Sequence, residues 1–411
     1  MTTGAAGAIQ AAEAGRGRVP QVRNRVLLVL VACAGAAIAA TGFVSHAPNR
    51  LLSGRPVALW HAVPPATTVG IAALGACLLA ACFLPQTRRL HLTAAALAAA
   101  LLLLLPYAAG QAASALAAAS GSPAARTGLG AAFWTMALCA ALAVVNAMQG
   151  LQAGPVARLL VSAALAGAVL AMLATGLLDG LSIMREYANR HDVFVAELRR
   201  HCALVLGALS PALAIGVPLG VVAARRPRAE APLFAALNLM QTIPSIALFG
   251  LLIEPLSALA TAVPPLGAIG VRGIGVAPAV VALVLYSLLP VARNVQAGLA
   301  GVDPAVIEAA AGMGFTSGQI LRKVELPLAL PVFLSGLRIV TVQAIGLAVV
   351  AALIGAGGLG AFVFQGLGQY ALDLVLLGAV PAILLALAAD IVLRSLADLA
   401  RTRRRGGDGV P

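Results

Sequence analysis

Charged and aromatic residues are scarce in this chain of 411 residues. Asp, Glu, Lys and Arg together make up only 10% of it and Phe, Trp and Tyr only 4%, whereas 61% of the residues are hydrophobic. A soluble domain carries roughly a quarter charged residues, so this composition cannot coat a fold whose surface faces water. The composition therefore excludes a soluble globular protein.

The residues that enzymes and metal sites need are also rare or scattered. The one lysine, Lys323, lies between Arg322 and Val324. A Walker A loop requires Gly-Lys-Ser/Thr, so this chain cannot bind ATP in that way. The five cysteines form no CxxC pair, and the histidines form no HExxH pattern. We expect no catalytic residue, cofactor or metal site, and we interpret the five histidines as interfacial: His46, His61, His91, His191 and His201.

Long apolar runs are the dominant feature of the chain. They recur at about the 20-residue length that an α-helix needs to cross the hydrocarbon core of a bilayer. They are continuous and rich in Ala and Leu, which excludes the alternating pattern of a membrane β-barrel. The sequence predicts an all-α polytopic membrane protein with about ten transmembrane helices: 26–44, 67–84, 91–109, 128–148, 157–178, 199–224, 232–253, 276–293, 331–354 and 372–394.

The basic residues follow the topology that these spans imply. If both termini are cytoplasmic, 19 of the 27 Lys and Arg residues fall on the cytoplasmic side and 8 on the other. That bias is the positive-inside rule, and it accounts for the net charge of +13 without nucleic-acid binding. We therefore expect a multi-pass protein of the bacterial cytoplasmic (inner) membrane, in contact with lipid on all sides, with both termini in the cytoplasm.

The spans divide into two groups. The first five are dominated by Ala and Leu, whereas Pro and Gly punctuate the later helices, as a translocation pathway requires. The segment between the groups carries charges of both signs and predicts an amphipathic helix outside the membrane. The predicted domains are a disordered cytoplasmic N-terminus, a five-span extension, an extracytoplasmic amphipathic segment, a core and a basic cytoplasmic tail: 1–25, 26–178, 179–198, 199–397 and 398–411.

Charges near the inner ends of the last two spans have simple local interpretations. Asp390 and Arg394 are four residues apart, which predicts an ion pair on one helix surface. Arg338 opens the ninth span, and we expect its long side chain to reach toward the cytoplasmic surface. A carrier driven by an ion gradient would be expected to keep an acidic residue near mid-membrane, and none is evident.

The stretch 294–330 is too polar to cross the bilayer and too regular to be a slack loop. Asp303 followed by Pro304 predicts a helix start, with Asp as the cap and Pro at the first helical position. A short helix over Ala305–Ala311 follows, and the glycines around Gly314 end it. Thr316 or Ser317 then caps a second short helix, and Pro327 is expected to reset the chain before the ninth span.

The same stretch carries a spaced motif that resembles the coupling loop of ABC importer permeases. In that family the motif is Glu-Ala-Ala, three residues, Gly, nine residues, Ile, one residue and Leu-Pro, and only Val in place of Ile departs from it here. The matching residues are Glu308, Ala309, Ala310, Gly314, Val324, Leu326 and Pro327. The resemblance implies that this loop docks on a separate ATP-hydrolysing subunit and that the chain is not itself an enzyme.

Two further segments, Gln241–Ser245 and Ile354–Gly360, are similar to the permeases that import glycine betaine, carnitine, choline and proline betaine. This resemblance covers about 199–397 and implies a type I (MetI-like) permease core; some members carry extra N-terminal spans. The candidate pathway residues are Gln241, Thr242, Pro244, Ser245 and Tyr286. A methionine or other amino-acid import permease and an ion-gradient-driven transporter remain the alternatives.

The resemblance also implies partners. Importers of this family work with two ABC ATPase subunits, an extracytoplasmic substrate-binding protein and a second permease copy or a sister permease. Quaternary ammonium groups are usually held in aromatic cages. Because aromatic residues are so few here, we expect selectivity to reside mainly in the binding protein, and the identity of the osmolyte stays open.

Overall fold

Two compact units make up the computed structural model, which describes residues 22–49, 52–268 and 270–405. The first unit holds residues up to 154 together with 160–182, and the second holds 155–159 together with 183 onward. Most of the predicted disordered N-terminus, and the end of the predicted tail, lie outside the described residues.

The first unit is built from apolar helices and three short strands. Asn24 caps the first helix, accepting a hydrogen bond from the Leu27 amide at 3.0 Å through Oδ1. The 33-residue helix α4 ends at Gly121, whose φ of 60° favours glycine. The elements are α1 (Arg25–Ala40), β1 (Val44–Ala47), β2 (Arg55–Val57), α2 (Leu59–Ala62), α3 (Pro65–Ala81), α4 (Arg88–Ser120), β3 (Arg126–Leu129), α5 (Ala131–Gly150) and α6 (Pro155–Ala174).

A three-stranded antiparallel sheet, in the order β2-β1-β3, was not predicted from the sequence. Val44 of β1 lies opposite Val57 of β2 and Leu129 of β3. The predicted first span, 26–44, is therefore too long, because its helix ends at Ala40 and the chain enters β1. Strands of three or four residues carry too few alternations to be recognised in sequence.

The second unit is helical throughout its described part. Its elements are α7 (Ser182–Asn189), α8 (His191–Arg225), α9 (Pro227–Thr242), α10 (Ser245–Leu251), α11 (Ile253–Ala262), α12 (Pro264–Ala268), α13 (Val276–Ala300), α14 (Pro304–Gly312), α15 (Ser317–Ile320), a π-helix (Leu321–Glu325), α16 (Leu326–Val350), a 3₁₀ turn (Ala351–Ile354), α17 (Gly360–Gly368) and α18 (Leu372–Arg405). The predicted amphipathic segment 179–198 comprises the short helix α7 and the first two turns of α8.

The predicted class, an all-α polytopic membrane protein, is confirmed. Within the described residues, 8 helices are long and apolar enough to cross a membrane. Two more apolar helices, α1 and α3, have 16 and 17 residues and are at the short limit for a span. The prediction of about ten spans therefore agrees with the structure only approximately.

The prediction that residues 232–253 form one membrane-spanning helix, the seventh span, is wrong. The chain forms α9 up to Thr242, breaks at Ile243, and begins α10 at Ser245. Pro244 lacks the amide hydrogen that a continuing helix would need, and it forces the residue before it into an extended conformation. Ile243 accordingly has φ −74° and ψ 125°. The apolar segment that could cross a membrane is Ser245–Ala262.

A stripe of small residues lets α8 approach α13 closely. Ala208, Ala212, Gly216 and Gly220 follow one another every fourth residue, so they share one face of α8, and all four are buried. A Cβ atom at Gly220 would lie 2.6 Å from the Ala292 carbonyl oxygen. Small residues at such spacings are how helices pack in membranes, where no hydrophobic force draws them together.

The buried core of the second unit forms where α8, α13 and α16 meet. Val205 and Leu209 of α8 pack with Leu283 of α13 and with Val340 and Ile345 of α16, and partly buried residues of α18 cover this cluster. The helices that lead into and out of the motif loop are thus held by one apolar core.

Replacing Gly220 by alanine should test the close contact between α8 and α13. The added methyl group would overlap backbone at 2.6 Å. We expect Gly220→Ala to destabilise the detergent-solubilised protein by about 1–3 kcal/mol, the usual effect of overpacking. The measurement is the apparent Tm by a thermal shift assay.

Gly207→Ala on the same helix is the matched control. A Cβ there would have only Val280 Cγ2 near it, at 4.0 Å, an ordinary contact. Its Tm should not fall. Equal Tm values for the two variants would contradict the packing that we describe.

Candidate functional site: the motif loop and its contacts

The first helix of the motif loop forms as its sequence predicts. Asp303 Oδ1 accepts a hydrogen bond from the Ala305 amide at 2.9 Å, and Pro304 is the first residue of α14. The helix ends where Gly314 adopts a φ of 84°, a conformation that L-residues with a side chain rarely take. We call residues 303–325, from this cap to the end of the π-helix, the knob.

A capping box starts the second helix. Thr316 Oγ1 accepts from the Gln319 amide at 3.4 Å, while Gln319 Oε1 accepts from the Thr316 amide at 2.9 Å. The Lys323 ammonium lies over the Phe315 ring, 5.9 Å from its centroid. These contacts fix the start of α15 and hold the turn at Phe315 against the π-helix.

The expectation that Pro327 resets the chain is wrong. Helical structure continues without a break over Ser317–Ile354, 38 residues. The π-helix precedes Pro327, and the Leu326 amide donates to the Leu321 carbonyl oxygen five residues back. Pro327 then lies directly after the π-helix, in the first turn of α16, and contributes no amide hydrogen there. At about 57 Å this run is nearly twice the thickness of the hydrocarbon core, so part of it extends beyond the core.

The motif residues differ in exposure. Ala310 is 2% exposed and packs inside the knob, whereas Glu308 and Ala309 beside it are exposed. Gly314 is also exposed and Val324 is half-buried. At the other end of the motif, Leu326 and Pro327 line a cavity of about 370 Å³, together with Val217, Val295, Leu299, Arg322, Ala329, Leu330 and Phe333. The knob therefore offers an exposed acidic and alanine surface on a rigid helical base.

An ion pair at the base of the knob joins a buried carboxylate to a guanidinium whose side chain is 43% exposed. Glu325 is only 3% exposed, and its carboxylate pairs with the guanidinium of Arg225, the last residue of α8. The two residues are 100 positions apart, so no local spacing rule could join them. The available signal was the unusual carboxylate itself, since it stands within an apolar run.

The candidate pathway residues brace the break between α9 and α10. Gln241 Nε2 donates to the Tyr286 carbonyl oxygen at 2.8 Å, and the Tyr286 hydroxyl donates to the carbonyl oxygen of Ile243. Thr242 Oγ1 donates to the Leu239 carbonyl oxygen at 2.7 Å. Tyr286 is 6% exposed. The structure thus brings Gln241 and Tyr286 together as supports of the break.

Pro244 and Ser245 occupy the break itself. Pro244 is exposed and Ser245 is half-buried at the start of α10. Thr242, just before the break, is exposed as well.

The glycine-rich segment after α16 packs against α8. Gly355, Gly357 and Gly358 have φ values of 77°, 74° and 82°, and the Gly358 amide donates to the Glu197 carboxylate. His201 lies beside Gly358 and is fully buried. The prediction that every histidine is interfacial is therefore wrong for His201, because the glycine turn covers it.

The predicted ion pair between Asp390 and Arg394 is wrong, because Asp390 pairs with Arg338. Asp390 Oδ1 of α18 lies 3.4 Å from Arg338 Nη1 of α16, and both side chains are about one-third exposed. Arg338 thus has a charged partner on a neighbouring helix, and the expectation that its side chain reaches toward the cytoplasmic surface stays a prediction. Packing of α16 against α18 brings the opposite charges of Arg338 and Asp390 together. Asp390 therefore pairs across the helices and not with Arg394, four residues along its own helix.

The comparisons with known proteins identify this arrangement. Residues 216–405 match the family described as "Binding-protein-dependent transport system inner membrane component", and residues 23–184 match "ABC transporter permease YehY, N-terminal domain". The osmoprotectant import permease protein OsmW of Salmonella typhimurium is 43% identical over 197 residues, which are 48% of this chain and 86% of that protein.

Other relatives match the same half of the chain. The carnitine transport permease protein OpuCB of Listeria monocytogenes is 36% identical, over 51% of this chain and 88% of its own length. The choline transport system permease protein OpuBB of Bacillus subtilis is 39% identical, over 46% and 78%. A solved structure of the MetNI methionine ABC transporter, in an inward-facing conformation, aligns with a TM-score of 0.46 at 24% identity, over 52% of this chain and 98% of that one.

The fold defines a class: a multi-pass helical membrane protein that presents a knob of two short helices. The chain belongs to the binding-protein-dependent family of ABC importer permeases, and its curated relatives are osmoprotectant, carnitine and choline permeases. It is the membrane-spanning subunit of an importer. Membership implies an ATPase partner and a substrate-binding protein.

The contact between Arg338 and Asp390 can be tested by a double-mutant cycle. Asp390→Asn leaves the Arg338 guanidinium without its partner between two spans. We therefore expect the free energy of unfolding to fall by about 1–2 kcal/mol. The double variant Arg338→Gln/Asp390→Asn should lose less stability than the losses of Arg338→Gln and Asp390→Asn added together. The measurement is again the Tm in detergent.

Arg394→Gln is the control for this cycle. Arg394 is exposed on α18. Its replacement should leave the Tm unchanged. If Arg394→Gln lowered the Tm as much as Asp390→Asn does, the pair across the helices would be the wrong assignment.

Proposed function

We propose that the importer moves an osmoprotectant, glycine betaine or another quaternary amine, into the cell. The observation that carries this proposal is the 34–43% identity, across the permease core, to proteins named for osmoprotectant, carnitine and choline transport. A small zwitterion or cation of this kind needs no strong site in the permease if a separate binding protein delivers it. The scarcity of aromatic side chains supports that division of labour.

Coupling to ATP hydrolysis runs through the knob. Its exposed face carries Glu308 and Ala309, where a small side chain allows another protein to approach and a carboxylate offers a polar contact. Gly314 sets the angle between the two short helices. When two ATPase subunits close on ATP, they move the knob, and the attached helix α16 carries the movement toward the pathway at Pro244 and Ser245.

The full assembly contains a second permease, either an identical copy or a sister chain, two ATPase subunits and an extracytoplasmic binding protein. We place it in the bacterial cytoplasmic (inner) membrane, with both chain termini, the knob and the basic tail 398–411 on the cytoplasmic side, because 19 of 27 basic residues then face the cytoplasm. In this arrangement 26–178 is an N-terminal extension and 199–397 is the transport core.

Reconstitution tests the proposed function. The purified chain, with the ATPase and binding protein of its own system, is placed in liposomes, and uptake of radiolabelled glycine betaine, choline and carnitine is measured. Uptake should require ATP on the ATPase side and the binding protein on the other. Uptake without the ATPase would refute the importer mechanism, and uptake of methionine alone would refute the substrate class.

The knob assignment predicts a specific failure. Glu308→Lys reverses the exposed charge, and Gly314→Asp forces a side chain into a φ of 84°. We expect either change to abolish uptake and ATPase stimulation by the binding protein, while the chain still inserts in the membrane. Insertion is measured by membrane fractionation, and coupling by ATPase activity in liposomes.

Gly318→Ala is the control for the glycine change. Gly318 lies in the same knob, within α15, and a Cβ there meets open space. It should transport normally. Normal uptake by Glu308→Lys or Gly314→Asp would contradict the role of the knob.

A further inference from the structure

We propose that the ion pair of Arg225 and Glu325 is the strut that carries movement of the knob to α8 and α9, which makes both of them positioning residues for transport. This inference rests on the proposed coupling function of the knob. It concerns contacts that lie outside the family motif, since Glu325 occupies the unspecified position between Val324 and Leu326.

The pair joins two points where helices change direction. Glu325 is the last residue of the π-helix, from which α16 continues. Arg225 is the last residue of α8, and the next residue, Arg226, leaves the helix with φ −127° and ψ 89° before Pro227 starts α9. A π-helical turn is a less regular and often functional part of a helix. The base of the knob is therefore tied to the corner between α8 and α9.

The chemistry of the pair favours a fixed connection. Apolar side chains from α8, α13 and α16 pack around the same place, among them Val221, Leu299 and Ala329. Such contacts have no preferred direction and can slide. The Glu325 side chain is buried and the Arg225 side chain is 43% exposed, so separating the two would leave a buried carboxylate without its partner, whereas apolar contacts can exchange neighbours freely.

Polar contacts continue the connection from the corner into α9 and α13. Glu230 Oε1 of α9 accepts from Gln296 Nε2 of α13 at 3.2 Å. The Arg293 guanidinium lies over the Phe234 ring, 4.8 Å from its centroid. Helix α9 then ends at the break before Pro244. A displacement of Glu325 thus reaches the break through one corner and one short helix.

The test removes the pair without leaving an unpaired buried charge. Arg225→Met and Glu325→Leu are combined, since an apolar residue suits the buried position of Glu325 and the double change leaves neither charge without its partner. We expect the variant complex to retain its ATPase subunits and to hydrolyse ATP, while uptake per ATP hydrolysed falls about tenfold. The proposal would be overturned if the variant took up as much solute per ATP as the unchanged protein. It would also be overturned if the variant lost its ATPase subunits, because the pair would then have a structural role.

A reversed pair and a neighbouring charge complete the test. Arg225→Glu combined with Glu325→Arg restores opposite charges and should recover most of the uptake per ATP. An assembled reversed pair that stays uncoupled would contradict the strut. Arg228→Gln, an exposed charge on α9 near the same corner, should transport normally. Uptake by the unchanged protein tests the proposed function. If that protein shows no ATP-driven uptake, the proposed function fails; if it transports and the pair variants transport equally well, only the strut fails.

Discussion

The fold depends on one constraint: within hydrocarbon, each backbone amide and carbonyl group needs a partner from the protein itself. Apolar segments therefore form helices, and the breaks in the core half are supported by polar side chains. At Ile243 the carbonyl oxygen accepts from the Tyr286 hydroxyl, and Gln241 holds the Tyr286 backbone in turn. At Gly358 the free amide donates to Glu197. The chain can interrupt its helices only where such a partner is provided.

Close helix packing is the second requirement, and small residues meet it. The Ala208-to-Gly220 stripe lets α8 approach α13 until only a hydrogen atom fits between them. Around that contact the apolar core joins α16 as well. The three helices therefore pack closely together, and the continuous helical run of α15, the π-helix and α16 carries the knob.

Charges inside this apolar chain are few, and the structure pairs them over long sequence distances. Glu325 meets Arg225 and Asp390 meets Arg338, in each case between different helices. Local spacing predicted Asp390 with Arg394, because residues four apart share a helix face. The tertiary contact prevails since burial between helices raises the cost of an unpaired charge. Each of these two pairs links a helix of the core to another helix far from it in sequence.

Sequence alone determined the polytopic helical class and the caps of the knob, including Asp303, Thr316 and the turn at Gly314, because hydropathy, capping and positive φ are local properties. Tertiary structure alone decided the rest. It ended the first span at a small sheet, split the seventh at Pro244, carried a helix through Pro327, buried His201 and chose the ion-pair partners. The sheet, the burial of His201 and the ion pairs depend on which distant residue supplies a hydrogen bond, a covering surface or an opposite charge, and local pattern holds no record of that.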